Sequence, residues 1–245
     1  MLVSTTAETA RNSDRNYDID GQIYVGREYI GTAPKPGSDD YGKDVAGEDF
    51  PQAYLVIQPP HSVTRPHFHT TNQFQVFVGG SGTVGKIRTD PVTVQYAGAH
   101  TPYGPIRAED RGIEYFTLRQ KWYSGAKYLP AERSTLDKGR QRQRVGVKRA
   151  DRRQTGDVVQ ETLIAREPDG LFAAHFTMAP QAAIALPDAA QGGGQYHIVL
   201  SGSLVRDGQE LPPLSVEFAS PEEGGTDVQA GAAGVEFLLL RFPRN

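Results

Sequence analysis

The chain contains no cysteine. Disulfides and thiolate ligands are thereby excluded, and any metal ion must be held by nitrogen and oxygen donors. Also missing is an apolar run near the roughly 20 residues that a membrane-spanning helix needs. The opening stretch MLVSTTAETARNSDRNYD lacks the apolar core of a secretory signal. The expectation is a cytoplasmic protein with no membrane partner. No excess of one charge exists either: 26 Lys and Arg against 29 Asp and Glu leave a net charge of -3, which gives nucleic acid no global electrostatic pull. No long segment shows a clean 3.6-residue apolar period, and no phosphate-binding loop, dinucleotide fingerprint or Ser-His-Asp pattern occurs.

What the chain does hold is turn formers and strand formers. Its 27 glycines and 17 prolines are set among short β-branched and aromatic runs, the mark of many short strands joined by tight turns. QAYLVIQ, QFQVFV, VTVQYA, IEYFTLR, QYHIVL, LSVEFA and VEFLLLRF all fit, and the expected class is all-β. Residues 1–22 are polar and aperiodic. They read as a loose arm, or as an edge strand donated to a neighbouring chain in a homodimer or larger assembly.

A shift of 122 residues lays NQFQVFVGGSG over GQYHIVLSGSL, PVTVQYAG over PLSVEFAS and GIEYFTLR over GVEFLLLR. From Gln73 to Arg119 against Gln195 to Arg241 there are 11 identities in 47 positions, with no gap. Upstream, the same shift pairs Phe50 with Phe172 and Tyr54 with Phe176. Two copies of one β-domain are therefore expected, over 23–125 and 156–245, joined by a basic linker over 126–155. Within that linker Lys138 to Arg153 holds eight basic residues and one acid. Without interleaved aromatics it reads as a solvated connection or a subunit-facing strand in preference to a nucleic-acid contact.

The repeat supplies an internal control. In the second copy His67 becomes Ala189, His69 becomes Gln191 and His100 becomes Glu222, while Gln73 persists as Gln195. Glycines and apolar strand positions survive, but the imidazoles do not. Histidines required for packing would tend to stay in both copies, so these point to a site that the first copy alone carries. Arg119 and Arg241 recur with Glu114 and Glu236, and that symmetry favours a structural ion pair or strand-end contact over catalysis. His61 follows two prolines and reads as a turn residue; His175 and His197 read as structural or surface groups.

These residues carry a resemblance. His67-Phe68-His69, three residues, Gln73, then six residues to Gly80 resembles the first motif of the cupins, His-x-His, three or four residues, Glu, six residues, Gly. It departs in placing Gln where Glu is usual. The second cupin motif, Pro-x-Gly-x-x-His, is only partly matched by YAGAHTPYGPIRA, where His100 falls one residue early against the glycine. The resemblance covers about 45–125 and 165–245. It implies two tandem jelly-roll barrels, a bicupin, with one divalent transition metal (Zn, Ni, Mn or Fe(II)) on His67, His69, Gln73 and His100 and a second barrel empty of metal.

The residues support part of this on their own. Positions i and i+2 of a strand face one way about 7 Å apart, so His67 and His69 can converge on one ion; Gln75 shares a face with Gln73. A bare His-x-His is better read as half-exposed strand residues; the spacing, the glycine-ended strand and the internal control turn the reading to the metal. Gln75, Tyr103 and Arg107 are candidates for substrate binding, the last two to hold a substrate carboxylate at the cavity mouth; a turn with a surface Arg reads that second segment equally well. An amide ligand leaves the charge of the ion intact, which favours non-redox lyase, isomerase or cyclase chemistry on a small organic acid or carbonyl compound. An iron dioxygenase and a non-catalytic ligand-binding, storage or sensor protein are the alternatives.

Overall fold

The structure, a computed structural model, describes residues 1–43, 49–149 and 156–244; among them lie two large antiparallel sheets, one for each half of the chain, and a two-stranded one that pairs His67–Phe68 with Lys127–Tyr128. Arg11–Val145 form an N-terminal unit; Met1–Ala10 and Gly146–Asn245 form a C-terminal one. Both are all-β, as the runs of strand formers led one to expect, with the jelly-roll build that the cupin resemblance implied, and no helix among the described residues is long and apolar enough to cross a membrane.

In the N-terminal sheet the central strands Gln73–Val84 and Ile106–Arg119 pair with each other. Thr93–Ala97 flanks the first and Gln52–Gln58 the second, and the sheet continues outward through Gln22–Ile30 to Arg15–Ile19. The C-terminal sheet has the corresponding strands Gln195–Arg206 and Asp227–Arg241 at its centre, with Val216–Ala219 and Phe172–Met178 on either side. The 122-residue shift holds through this central part: Phe74 pairs with Leu118 as Tyr196 pairs with Leu240, and each long strand carries a bulge that skips Val78 or its counterpart Leu200.

Upstream the shift is 120, not 122. Arg119 pairs with Gln52 and Arg241 with Phe172; Ile106 pairs with Thr64 and Val228 with Ile184. Two additional residues therefore lie in the segment of the C-terminal unit that corresponds to the His-x-His stretch. There the extended His67–Phe68 of the first unit gives way to a 3-10 turn at Ala189–Gln191.

The ends of the units also differ from expectation. Leu2–Thr5 is not a loose arm or a strand lent to another chain: it pairs with Val216–Ala219 of its own C-terminal unit, covering that sheet edge, while Arg15–Ile19 forms a hairpin with Gln22–Ile30. The linker is partly ordered as well, with a 3-10 turn at Lys138–Arg140 and a strand at Gln143–Val147; its residues 150–155 lie outside the described residues.

The two interiors are filled differently. In the C-terminal unit Phe172, Ala174, Phe176, Val199, Phe237 and Leu239 close the centre, with Phe176 and Phe237 stacked at 5.0 Å. The matching positions of the N-terminal unit are Gln52, Tyr54, Val56, Phe77, Tyr115 and Thr117, and a cavity remains there.

Tight backbone contact at the bulge holds the central strands together. Gly80 has φ +67°, and a Cβ there would lie 2.0 Å from the Gly112 carbonyl oxygen; Gly202 repeats this against Gly234. Left-handed backbone costs a residue with a side chain about 1–2 kcal/mol and overpacking about 1–3 more. Gly80→Ala is expected to cost about 3 kcal/mol, whereas Gly21→Ala, at φ +79° with open space around it, should cost about 1 kcal/mol. Urea unfolding curves of the two variants check the contrast.

Candidate metal centre

His67 and Tyr103 form an antiparallel bridge, His67 N–H donating to the Tyr103 carbonyl at 3.1 Å and Tyr103 N–H to that of His67 at 3.0 Å. The bridge brings the segment after Ala97 across the His-x-His stretch. His67 and His69, two apart, turn to the same side, and the Tyr103 hydroxyl lies between them, 2.8 Å from His67 Nε2 and 3.1 Å from His69 Nε2. Gln73, the first residue of its strand, donates from Nε2 to the same oxygen at 2.5 Å. All four side chains are buried.

Backbone carbonyls set the tautomers. Arg65 O lies 2.8 Å from His67 Nδ1, and Gly125 O lies 2.9 Å from His69 Nδ1, nearer than the Arg119 Nη2 at 3.4 Å; a carbonyl only accepts, so the shorter contact in each case puts the hydrogen on Nδ1. Burial, opposed in part by the Arg65 carbonyl, lowers the pKa of His67 to about 4. Burial and then the Arg119 charge hold His69 well below its ordinary value. Both rings are therefore neutral near pH 7, with bare Nε2 lone pairs aimed at one point. Burial also raises the Tyr103 hydroxyl, although the Arg119 charge works the other way.

Arg119, placed by its symmetry with Arg241 among structural ion pairs, belongs to this cluster. It is fully buried and donates to Gln52 Oε1 at 2.6 Å and Gln73 Oε1 at 3.0 Å. That second bond orients the Gln73 amide, oxygen toward Arg119 and NH2 toward Tyr103. Glu114 is five positions away on the same strand and so faces the opposite side. Arg241 donates to the carbonyls of Gly170 and Asp188 and to Gln191 Oε1, while Glu236 pairs with Lys148 and His175. Strand parity was the available signal: Tyr115, Thr117 and Arg119 alternate along one face, and all three line the cavity.

Two expected site residues lie elsewhere. His100 stacks on Phe68 at 5.8 Å, and its Nδ1 accepts the Asp137 N–H at 3.1 Å. Since Phe68 points away from its two histidine neighbours, His100 is behind the wall from them and does not join the cluster. Arg107 is exposed between the buried Ile106 and Ala108, its strand partners being Val63 and Thr83, and it takes no part in the cavity mouth. Gln75 does line the cavity, its Oε1 accepting from Gln95 Nε2 at 3.3 Å.

The cavity has a volume of about 90 Å³. Besides Tyr103 its wall contains Tyr17, Tyr24, Tyr41, Tyr54, Tyr115 and Tyr128. Among the described residues no group of three or more His, Cys, Asp or Glu gathers anywhere in the chain. A metal here would rest on two imidazoles with oxygen donors.

The sequence matches no protein-family model and no curated protein. The fold, however, is similar to solved structures over its whole length. The bacterial pirin YhhW from Escherichia coli, in complex with nickel(II), aligns with TM-score 0.57 at 10% identity, covering 100% of both chains. HEPD from Streptomyces albus, with 2-hydroxyethylphosphonate and Fe(II) bound, aligns with TM-score 0.60 at 12% identity over 100% of this chain and 76% of that one. The oxalate decarboxylase of Lactobacillus farciminis, a formate complex, gives TM-score 0.59 at 10% identity over 99% and 86%.

Proposed function

The chain has the two-barrel cupin fold, and on that premise we propose that it is a metal-dependent enzyme whose site lies in the N-terminal barrel and acts on a small organic acid or carbonyl compound. A shortage of hydrogen carries this reading. His67 Nε2 and His69 Nε2 are both bare acceptors at 2.8 and 3.1 Å from a hydroxyl that owns one hydrogen. One lone pair is therefore left facing an oxygen with nothing between them, a costly arrangement in a buried site. A divalent cation would satisfy both.

The residues fit such an ion: His67 and His69 would hold it through Nε2, with Tyr103 Oη as the oxygen donor in the place given to His100. The backbone carbonyls of Arg65 and Gly125 lock the imidazoles in the ligating tautomer. Gln73 presents NH2, not oxygen, so its part is to steady Tyr103. Bound there, a divalent transition metal supplies Lewis acidity next to a position open to water or substrate. Among the described residues no carboxylate joins the set, which supports non-redox lyase, isomerase or cyclase chemistry. The Fe(II) held on a similar fold by HEPD supports an iron oxygenase as the second reading, and a fold of this kind carries either chemistry.

Elemental analysis after loading with Ni, Mn, Fe(II) or Zn and dialysis tests the reading; about one ion per chain is expected. None retained from any of the four ends it. Tyr103→Phe keeps the ring and removes the oxygen, and is expected to weaken metal binding on the order of 10–100-fold. Unchanged affinity would exclude Tyr103 as a ligand.

A further inference from the structure

We propose that Tyr41 is a positioning residue for His69: its ring, seated on Gly125 at the mouth of the cavity, pins the carbonyl that keeps the hydrogen of His69 on Nδ1 and leaves Nε2 bare for a metal. This rests on the reading of the cluster as a metal centre, and it names what holds one of the two imidazoles ready.

His69 Nδ1 has two neighbours of opposite kind. The Gly125 carbonyl oxygen lies 2.9 Å away and only accepts; Arg119 Nη2 lies 3.4 Å away and only donates. The nearer one decides the tautomer. Were the carbonyl to withdraw, the guanidinium would donate to Nδ1, and the single hydrogen of the neutral ring would go to Nε2, where it blocks ligation. The position of Gly125 O therefore sets whether His69 can bind a metal.

Strand pairing does not fix that carbonyl. Residues 122–126 belong to no strand, and Gly125, at φ +144°, has the backbone freedom of a residue without a side chain. The segment from Tyr41 to Lys43 supplies the hold in three successive contacts. A Cβ on Gly125 would sit 2.5 Å from the Tyr41 ring, so the ring lies directly on bare backbone. A Cβ on Gly42 would sit 2.5 Å from the Ala126 carbonyl oxygen, and Ser124 Oγ donates to the Lys43 carbonyl at 2.5 Å.

The same ring borders the way in. Tyr41 and Tyr128, stacked at 6.5 Å with their hydroxyls 3.5 Å apart, line both the cavity and an outer cleft. The hold on His69 is therefore part of the cavity entrance. His67 has its carbonyl partner in another segment, Arg65 O at 2.8 Å, and serves as the internal control.

Nitrogen NMR of the metal-free full chain, isotope-labelled at histidine, tests the proposal, because the two tautomers give distinct ring-nitrogen shifts. In the wild type both His67 and His69 should carry hydrogen on Nδ1. In Tyr41→Ala, His69 is expected to show the Nε2–H form while His67 stays as it was, and nickel affinity should fall about 10–100-fold. Tyr41→Phe, which keeps the ring, should match the wild type in both respects. Gly42→Ala, which lifts the same segment off Ala126, should act as Tyr41→Ala does and serves if that variant does not fold. Wild-type His69 with its hydrogen on Nε2, an unchanged His69 in folded Tyr41→Ala or Gly42→Ala, an equal change at His67, or a Tyr41→Phe protein that behaves like Tyr41→Ala each overturns the proposal. Failure of the metal reading is told apart by the same samples. The expected change at His69 in a chain that retains no metal leaves the positioning of His69 standing and removes the metal; metal retained with His69 unchanged in the variants does the reverse.

Discussion

Protein carrying both His67→Ala and His69→Ala is expected to lose its metal, from about one ion per chain to less than about a tenth, while remaining folded. Both imidazoles aim their only free lone pairs at the same point, so each removal takes away a ligand outright. Loss of an outer hydrogen-bond partner alone weakens metal binding by about 10–100-fold, and the loss of two ligands should exceed that. Folding should survive because the rings face a cavity and not a filled core. The C-terminal barrel reaches the same strand order with a 3-10 turn in place of the histidine segment. Elemental analysis gives the metal content and far-UV circular dichroism the fold. Metal content equal to that of the wild type would show that the ion, if present, is held elsewhere.

The second large effect is expected in the C-terminal barrel, whose centre is filled by apolar side chains. At the positions matching Gln75 and Gln95, the C-terminal unit has His197 and Glu217, Nδ1 to Oε1 at 2.8 Å, with Arg206 Nη2 also 2.8 Å from that oxygen. All three side chains are buried. Glu217→Ala would leave Arg206 and His197 in the core without their carboxylate, and should destabilise the protein by about 3–5 kcal/mol. Glu217→Gln, which keeps an oxygen acceptor, should cost less. The pH dependence follows from the same contacts. Burial raises the Glu217 pKa, but the bonds and charges of His197 and Arg206 outweigh it, and the group ends below its ordinary value of 4.5. A carboxyl depressed by folding adds stability that is fully present above its unfolded pKa and is lost as pH falls through its folded one. Wild-type stability should therefore drop below about pH 4.5, and the Glu217→Ala protein should lack that part of the decline. Urea midpoints from pH 3 to 7 would show it; parallel curves for the two proteins would remove Glu217 from the acid response.

Local patterns within the chain determined a good deal. The all-β class was legible because short runs rich in Val, Ile, Phe and Tyr between glycines and prolines leave a backbone little other than paired strands. The 122-residue repeat was legible from Gln73 to Arg119 because paired strands of fixed register tolerate no insertion: a slip of one residue would turn every inward side chain outward. His67 and His69 could be picked out because two-residue alternation is a property of the strand itself; their pairing with Ala189 and Gln191 does not hold in the structure, where two additional residues and a 3-10 turn occupy that segment.

Tertiary structure decided the rest. The two residues inserted between Ala185 and Gln195 are invisible to a shift measured on the strands, because loops absorb length without disturbing the sheet. Tyr103 stood out only as a cavity residue; its place between two imidazoles depends on a bridge between segments 36 positions apart. His100 satisfied a spacing, but the face it occupies is set by Phe68, whose direction belongs to a different strand. Arg119 was read through its twin Arg241, and identical residues at identical register proved to serve different ends. The guanidinium takes the partners its surroundings offer, two glutamine amides beside a cavity in one barrel, and two backbone carbonyls with one glutamine amide in the other. What a buried charge does is settled by the groups that fold around it, since their distance and polarity, not its place in the chain, determine the energy of that charge.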